Sequence, residues 1–167
     1  MIPLNDLADI LLGGCPATLP PALAAMDADE RLDLHTATFD LNPVCNPYAG
    51  IHLFGEENFK RGELMAGLAH RMSAFGLDPR PELPDHLANL LRLLPLCPED
   101  EAAELATFCI LGPLGRMAAS LPEENPYREI LDAAQAAIGE RLPGVIAAPN
   151  PMDQMRAAGR PACAPDA

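Results

Sequence analysis

Apolar residues recur at helical spacing along most of the chain. Leu87, Leu90, Leu91 and Leu94 fall at positions i, i+3, i+4 and i+7, which is the pattern of one buried helix face. Similar stripes elsewhere are bounded by Pro and Gly residues of the kind that begin or end helices. The pattern predicts an all-α, single-domain bundle with helices over residues 4–11, 21–38, 59–75, 84–94, 98–121 with a kink or break at Gly112-Pro113, and 126–142.

Residues 39–58 interrupt this helical rhythm. Pro43, Pro47, Gly50 and Gly55 punctuate the segment, and Asn46-Pro47 is typical of a turn. A connection of this length is unusual inside a compact domain and is often functional. Because the segment is also rich in apolar residues, we expect it to pack over the helices rather than act as a free linker.

The segment Glu82-Leu83-Pro84-Asp85-His86 precedes the leucine stripe. Pro84 suits the first position of a helix, so the sequence predicts Asp85 and His86 in its first turn and an end at Pro95. Neighbouring helical residues point about 100° apart, so these two side chains do not form a catalytic dyad. Two roles remain open: contact with a ligand, or capping of the helix and anchoring of the loop before it.

Periodicity is lost after Pro143-Gly144. The following residues are mostly small and include several prolines. We therefore divide the chain into a helical domain, residues 1–142, and a Pro/Ala-rich tail, residues 143–167, which we expect to be flexible or only weakly paired with the body.

Composition narrows the class of partner. Hydrophobic residues make up 49% of the chain, enough for a folded core, and aromatic residues only 4%. The net charge is −13, from 24 acidic and 11 basic residues. Such a surface repels nucleic acids and anionic membranes and attracts basic partners.

The sequence offers no recognisable catalytic or cofactor site. The five cysteines and four histidines are scattered without paired ligand spacing, so no metal is expected. There is no phosphate-binding glycine loop and no hydrolase signature, which indicates that the protein is not an enzyme. No apolar run approaches the ~20 residues of a membrane span, and the start lacks a basic leader, so we expect a cytoplasmic protein.

Three motifs, in order along the chain, resemble the NarJ/TorD/DmsD family of molybdoenzyme maturation chaperones. Residues 82–87, ELPDHL, match the family's E-x-P-D-H signature. The second motif is LFGEE at residues 53–57 followed by FKRG at residues 59–62, which is similar to the family's entry into a helix. The third is LGPL at residues 111–114 with NPYR at residues 125–128, which is similar to a pattern late in the family's sequences. The resemblance spans about residues 30–142 and implies the all-α bundle of that chaperone type.

The resemblance also implies a function. Family members bind the apo catalytic subunit of a molybdoenzyme, many through its twin-arginine N-terminal leader, until the molybdenum cofactor is inserted. A nitrate reductase is the first expectation for the client, and the chaperone itself is expected to be a monomer or weak dimer without a cofactor. The peptide-binding residues implied by the signature are Glu82, Leu83, Pro84, Asp85, His86 and Leu87.

Charge supports the same hypothesis independently. An arginine-bearing apolar leader calls for carboxylates beside an apolar groove, because Arg binds carboxylates bidentately. We expect this groove between residues 39–58 and the 84–94 helix. The alternative is a non-catalytic helical adaptor or regulatory protein with another basic and apolar partner.

Overall fold

A computed structural model describes residues 2–158 of the chain. Within them every regular element is helical, which confirms the predicted all-α class. None of these helices has the length and apolar character to cross a membrane. The elements are α1 (Leu4–Leu11), α2 (Pro21–Ala24), α3 (Ala28–His35) with a π-helical turn (Thr36–Asp40), α4 (Ala49–Phe54), α5 (Phe59–Ala74), α6 (Leu87–Leu93) with a 3₁₀ turn (Leu94–Leu96), α7 (Glu99–Leu105) with a π-helical turn (Ala106–Ile110), α8 (Leu111–Ser120), α9 (Tyr127–Arg141) and α10 (Pro151–Ala158).

Helix α6 lies at the centre of the bundle. Leu87, Leu90, Leu91 and Leu94 are all fully buried, as the leucine stripe predicts. Leu93, on another face, is buried as well, so α6 is enclosed almost all round. Helix α1 packs against α6 and α9, and α8 packs against α4 and α9. Burial of α6 therefore fixes the position of the segment that leads into it.

Helix α6 begins later than the sequence pattern predicts. The predicted start at Pro84 is wrong: the first helical residue is Leu87, and His86 is the N-cap. Pro84 and Asp85 lie in a turn that the His86 N–H closes on the Leu83 carbonyl, and His86 pairs with Tyr48 in a single antiparallel bridge, so the backbone groups used there are unavailable for a helical turn. The predicted end is close, because the α-helical part stops at Leu93 and Pro95 lies in the 3₁₀ turn.

Two other predicted helices differ from the pattern. The predicted helix 21–38 is divided, because Asp27 and Glu30 form a reciprocal capping box that begins α3. The sequence predicts a kink or a break at Gly112-Pro113. A break is wrong, because α7 continues through the π-helical turn into α8. Pro113 has no N–H and cannot donate a backbone hydrogen bond to the preceding turn. The extra residue of the π-helical turn just before α8 accommodates this missing bond, so the helix does not end there.

The segment 39–58 packs over the helices, as predicted, and it contains α4, which the pattern does not reveal. Cys45, Ala49 and Leu53 of this segment are buried. Helix α4 contacts α5, α8 and α10. The tail also has a helix, α10, while residues 159–167 lie outside the described residues, so flexibility of the tail stays a prediction.

Replacement of Leu90 by alanine tests the central position of α6. The side chain is fully buried, and Leu→Ala in a core costs about 2–5 kcal/mol because of lost burial and the cavity left behind. Chemical denaturation followed by circular dichroism measures the free energy of unfolding. Leu96→Ala is the matched control, since Leu96 is 45% exposed; an equal loss in both variants would contradict the central position of α6.

Candidate functional site

The signature segment is joined to the segment before α4 by a short antiparallel bridge. Tyr48 and His86 are the bridge partners. The Ala49 N–H donates to the Asp85 carbonyl at 2.8 Å, and the Leu87 N–H donates to the Pro47 carbonyl at 2.9 Å. Two stretches far apart in sequence thus share one backbone frame at the entrance of α6.

Asp85 lies beneath this bridge and pairs with Arg61 of α5. Its carboxylate is fully buried. The Arg61 Nε donates to Oδ2 at 2.9 Å and Nη2 to Oδ1 at 3.4 Å, a bidentate geometry. Gly50 provides the space, because a Cβ there would lie 2.6 Å from Asp85 Oδ2 and 2.8 Å from Arg61 Cγ. The three residues thus form one closely packed unit.

His86 closes the first turn of α6. Its ring is 4% exposed. The Ala88 N–H donates to His86 Nδ1 at 3.2 Å, which caps the helix. Burial lowers the pKa of the imidazole below its ordinary 6.5, and the smaller influence of the Glu82 and Asp85 carboxylates raises it again only in part. A neutral ring with Nδ1 as an acceptor is consistent with this direction.

Tyr48 ties Glu82 to the same unit. The Tyr48 hydroxyl donates to Glu82 Oε2 at 2.5 Å. Burial, and then this hydrogen bond, raise the pKa of the Tyr48 phenol, so it remains protonated at neutral pH. The Tyr48 ring packs edge-on against His86 with centroids 5.2 Å apart, and the Arg61 guanidinium lies 5.7 Å from its centre.

The predicted peptide-binding residues divide into a buried half and a surface half. Asp85, His86 and Leu87 are buried. Leu83 is 46% exposed, and Glu82 and Pro84 are half-buried. Of the two roles left open by the sequence, anchoring and capping are those that Asp85 and His86 perform in this structure; their contact with a ligand stays a prediction.

Leu83 of the surface half lines a cleft of about 540 Å³. Its lining comes from the 39–58 segment, from Arg61 of α5 and from Leu83. None of residues 84–94 lines it, so the predicted position of the groove against that helix is wrong. Its lining combines carboxylates with apolar groups, including Asp40, Glu56, Pro43, Tyr48, Ile51 and Leu83. Because Asp85 neutralises Arg61 in the wall, the exposed carboxylates leave the cleft suited to a ligand that is both cationic and apolar.

Residues that define this site beyond the signature are Tyr48, Gly50, Arg61 and Asn89. The buried Asn89 amide donates to the carbonyls of Pro79 and Leu83, at 3.0 and 2.9 Å, and so holds the loop before the bridge. Lys60-Arg61 stand out in the sequence as basic residues in an acidic chain, which is the signal that points to Arg61. Gly50 and Asn89 carry no such signal.

The described residues offer little for catalysis or metal binding. No group of three or more His, Cys, Asp or Glu side chains among them is arranged to hold a metal ion. Burial raises the pKa of the Cys45 and Cys109 thiols to about 11, which disfavours the nucleophilic thiolate.

Removal of the Arg61 charge should destabilise the whole domain. In Arg61→Met the Asp85 carboxylate remains buried without a partner, a situation that costs about 3–5 kcal/mol. Urea denaturation measures the loss in the free energy of unfolding. Arg80→Met is the control, because Arg80 pairs with Asp78 on the surface and its removal should cause no measurable loss; similar behaviour of the two variants would contradict the role of the buried pair.

A single methyl group at residue 50 should have a comparable effect. Gly50→Ala places a Cβ within 3 Å of both partners of the buried pair, so it should separate them and lower the unfolding midpoint. Gly67→Ala is the matched control in α5, where a Cβ would meet no atom within 4 Å. Alanine favours a helix over glycine by about 1 kcal/mol, so the control should gain stability, and a gain in both would rule out the proposed close packing.

The stability of the protein should fall with acid below about pH 6.5. His86 has a lowered pKa in the folded protein, so the unfolded chain takes up the proton first and the free energy of unfolding declines as pH falls through the unfolded pKa of about 6.5. His86→Asn retains a capping group and should flatten this decline. Burial also lowers the pKa of His52, so part of the decline remains. Equal slopes for parent and variant in urea titrations from about pH 7.5 to pH 5 would refute the assignment.

The model of the family described as "Nitrate reductase delta subunit" matches residues 4–142, which run from the first residue of α1 to just after α9. No curated protein matches the sequence significantly. The match confirms the resemblance inferred from the motifs and gives a molybdoenzyme assembly chaperone as the general role. The chain belongs to the nitrate reductase delta subunit family.

Proposed function

We propose that this chaperone binds the N-terminal leader of a nitrate-reductase-type catalytic subunit in the cleft beside Leu83. The leader is held while the molybdenum cofactor is inserted, before export or assembly. The chaperone acts in the cytoplasm as a monomer or weak dimer, without a cofactor of its own. The observation that carries this proposal is the pairing of carboxylates with apolar groups in one cleft that the signature segment borders.

The chemistry of the cleft matches that of a twin-arginine leader. Such a leader presents a pair of guanidinium groups next to an apolar stretch. Asp40 and Glu56 are exposed carboxylates in the lining, and carboxylates bind guanidinium bidentately. Leu83 and Ile51 supply apolar surface beside them. The net charge of −13 draws a basic peptide toward the protein from a distance.

The two halves of the signature have different roles in this proposal. Glu82 and Leu83 lie at the surface side, where Leu83 contacts the peptide and Glu82 orients Tyr48 through its hydroxyl. The buried residues Asp85, His86 and Leu87 form the frame that holds them in place. Asp85 and His86 are therefore positioning residues, and their replacement should weaken peptide binding mainly by disturbing the frame.

A charge reversal at Glu56 tests the proposal directly. Glu56→Lys places a cation in the cleft lining, whereas Glu57→Lys makes the same change of charge at an exposed residue outside the lining. Fluorescence anisotropy with a synthetic twin-arginine leader peptide should show affinity about tenfold weaker for Glu56→Lys, and a smaller, salt-screened loss for Glu57→Lys. Equal losses would indicate general electrostatic attraction and no specific cleft.

A second pair of variants tests the apolar part. Leu83 and Leu96 are 46% and 45% exposed, and only Leu83 lines the cleft. Leu83→Ala should weaken binding of the leader peptide several-fold, because about 1 kcal/mol of apolar contact is lost. The free energy of unfolding should not change. Leu96→Ala should leave binding unchanged. If neither affects binding while the protein retrieves an unrelated basic protein from cells, the adaptor alternative is favoured.

A further inference from the structure

The late motif Asn125-Pro126-Tyr127 lies outside the lining of the cleft beside Leu83, which we call the leader cleft. The Asn125 side chain makes two hydrogen bonds at the start of α9. Its Oδ1 accepts the Tyr127 N–H at 2.9 Å, and its Nδ2 donates to the Thr38 Oγ1 at 3.2 Å. Thr38 belongs to the π-helical turn Thr36–Asp40, which we call the 36–40 turn. One amide therefore joins the start of α9 to a turn 87 residues earlier in the chain.

The 36–40 turn also packs on the ring of Tyr127. Phe39 lies edge-on against this ring, with centroids 4.8 Å apart and planes at 79°. The His35 ring completes the cluster, 5.2 Å from Phe39 and 5.9 Å from Tyr127. Phe39 and Tyr127 are both buried. Because edge-to-face aromatic pairs favour a defined relative geometry, the start of α9 fixes the orientation of the turn as well as its position.

Helix α3, which leads into the 36–40 turn, gives it little support. The helix has no buried residue, and its Leu32 side chain is exposed. The turn closes through the Leu41 N–H, which donates to the Thr36 carbonyl at 3.2 Å, five residues back. Such π-helical bonding is rare and occurs mostly as single turns inside helices, frequently at functional sites. The geometry of the turn therefore depends on tertiary contacts, and Asn125 and Tyr127 supply such contacts from α9.

Asp40 ends this turn and lines the leader cleft together with Phe39. Its side chain is 57% exposed. The nearest cation is the His35 ring, whose Nδ1 lies 3.7 Å from Asp40 Oδ2, which is beyond hydrogen-bond distance. The carboxylate therefore retains its lone pairs for a ligand, while its position is set by the turn that carries it.

Glu56, the other exposed carboxylate of the lining, has a separate support. It lies between α4 and α5, and its backbone carbonyl accepts a 3.4 Å hydrogen bond from Arg61 Nη1. Arg61 is the partner of the buried Asp85. The frame at the entrance of α6 thus holds Glu56, whereas the start of α9 holds Asp40. A ligand that binds both carboxylates depends on the relative placement of these two supports.

We propose that Asn125, assisted by the Tyr127 ring, is a positioning residue for Asp40, and that Asp40 and Glu56 each bind one guanidinium of a pair of arginines. The identity of this ligand rests on the proposed function, whereas the support of the 36–40 turn by α9 does not. Bidentate binding requires both carboxylate oxygens to align with two N–H groups. Displacement of Asp40 therefore weakens binding of one arginine and leaves the other, so the late motif makes the cleft selective for two arginines over one.

Asn150 offers a matched control for Asn125, because each precedes a proline at the start of a helix. The Asn150 Oδ1 accepts the Met152 N–H at 2.9 Å, and its Nδ2 donates to the His52 carbonyl at 3.0 Å. Serine at either position retains an oxygen for the N–H two residues on, but it lacks the amide donor for the second partner. Asn125→Ser and Asn150→Ser thus make the same chemical change at two different places.

Hydrogen exchange measured by mass spectrometry tests the positioning role without a ligand. In Asn125→Ser, exchange should be about tenfold faster over residues 36–41 and unchanged over residues 56–61, since the turn loses its contact with α9. Asn150→Ser should exchange like the parent in both segments. Unchanged exchange over residues 36–41 in Asn125→Ser would overturn the positioning role whether or not a leader binds.

A double-mutant cycle tests whether Asn125 acts through Asp40. Fluorescence anisotropy with the twin-arginine leader peptide should show affinity about fivefold weaker for Asn125→Ser and unchanged for Asn150→Ser. In an Asp40→Asn background the Asn125 substitution should cause no further loss, whereas in a Glu56→Gln background it should cause the full loss. Equal losses in the two backgrounds would indicate a general disturbance of the fold and would overturn the proposal.

A leader peptide with one arginine replaced by glutamine tests the selectivity. The parent protein should bind it about tenfold more weakly than the twin-arginine peptide, and Asn125→Ser should reduce this preference to about twofold. An equal preference in parent and variant would overturn the assignment of one arginine to Asp40. A parent that binds neither peptide would overturn the proposed function itself. If Glu56→Lys weakens binding while Asn125→Ser binds like the parent, only the role of Asn125 is overturned.

Discussion

The buried pair of Asp85 and Arg61 is the constraint on which the site depends. A carboxylate removed from water is tolerated only with a well-placed partner, and Arg61 meets it with two donors from α5. The pair fixes the start of α5 relative to the entrance of α6. Gly50 of α4 fits against the pair, so three helices are brought to one point by a single charged contact.

The surface of the cleft follows from this contact. Tyr48 and Leu83 both line the cleft; the backbone bridge to His86 holds Tyr48, and the Asn89 amide holds Leu83. The buried charges of Asp85 and Arg61 are paired with each other, so they do not call for a charged ligand. They nevertheless determine where the exposed carboxylates and apolar groups lie. A signature motif can therefore determine the shape of a surface while half of its side chains are buried.

Periodicity predicts the long helices well and the site only in part. The buried leucines of α6 follow directly from their spacing. Helix α9 begins at Tyr127, one residue later than the pattern predicts, and the Asn125 side chain accepts a 2.9 Å hydrogen bond from the Tyr127 N–H there. The start of α6 was misplaced because tertiary pairing with residues 47–49 competes with the helical turn that Pro84 allows. Helix α4 escaped notice because it is short and begins among turn residues.

The burial of Asp85 could not be predicted from the sequence for a related reason. A carboxylate beside an apolar stripe is compatible with an exposed ligand contact and with a buried ion pair, and only the location of a distant cation decides between them. Arg61 lies 24 residues away in the sequence. Nothing in this separation predicts a contact, because the two residues meet only when α4 and α5 fold back on α6.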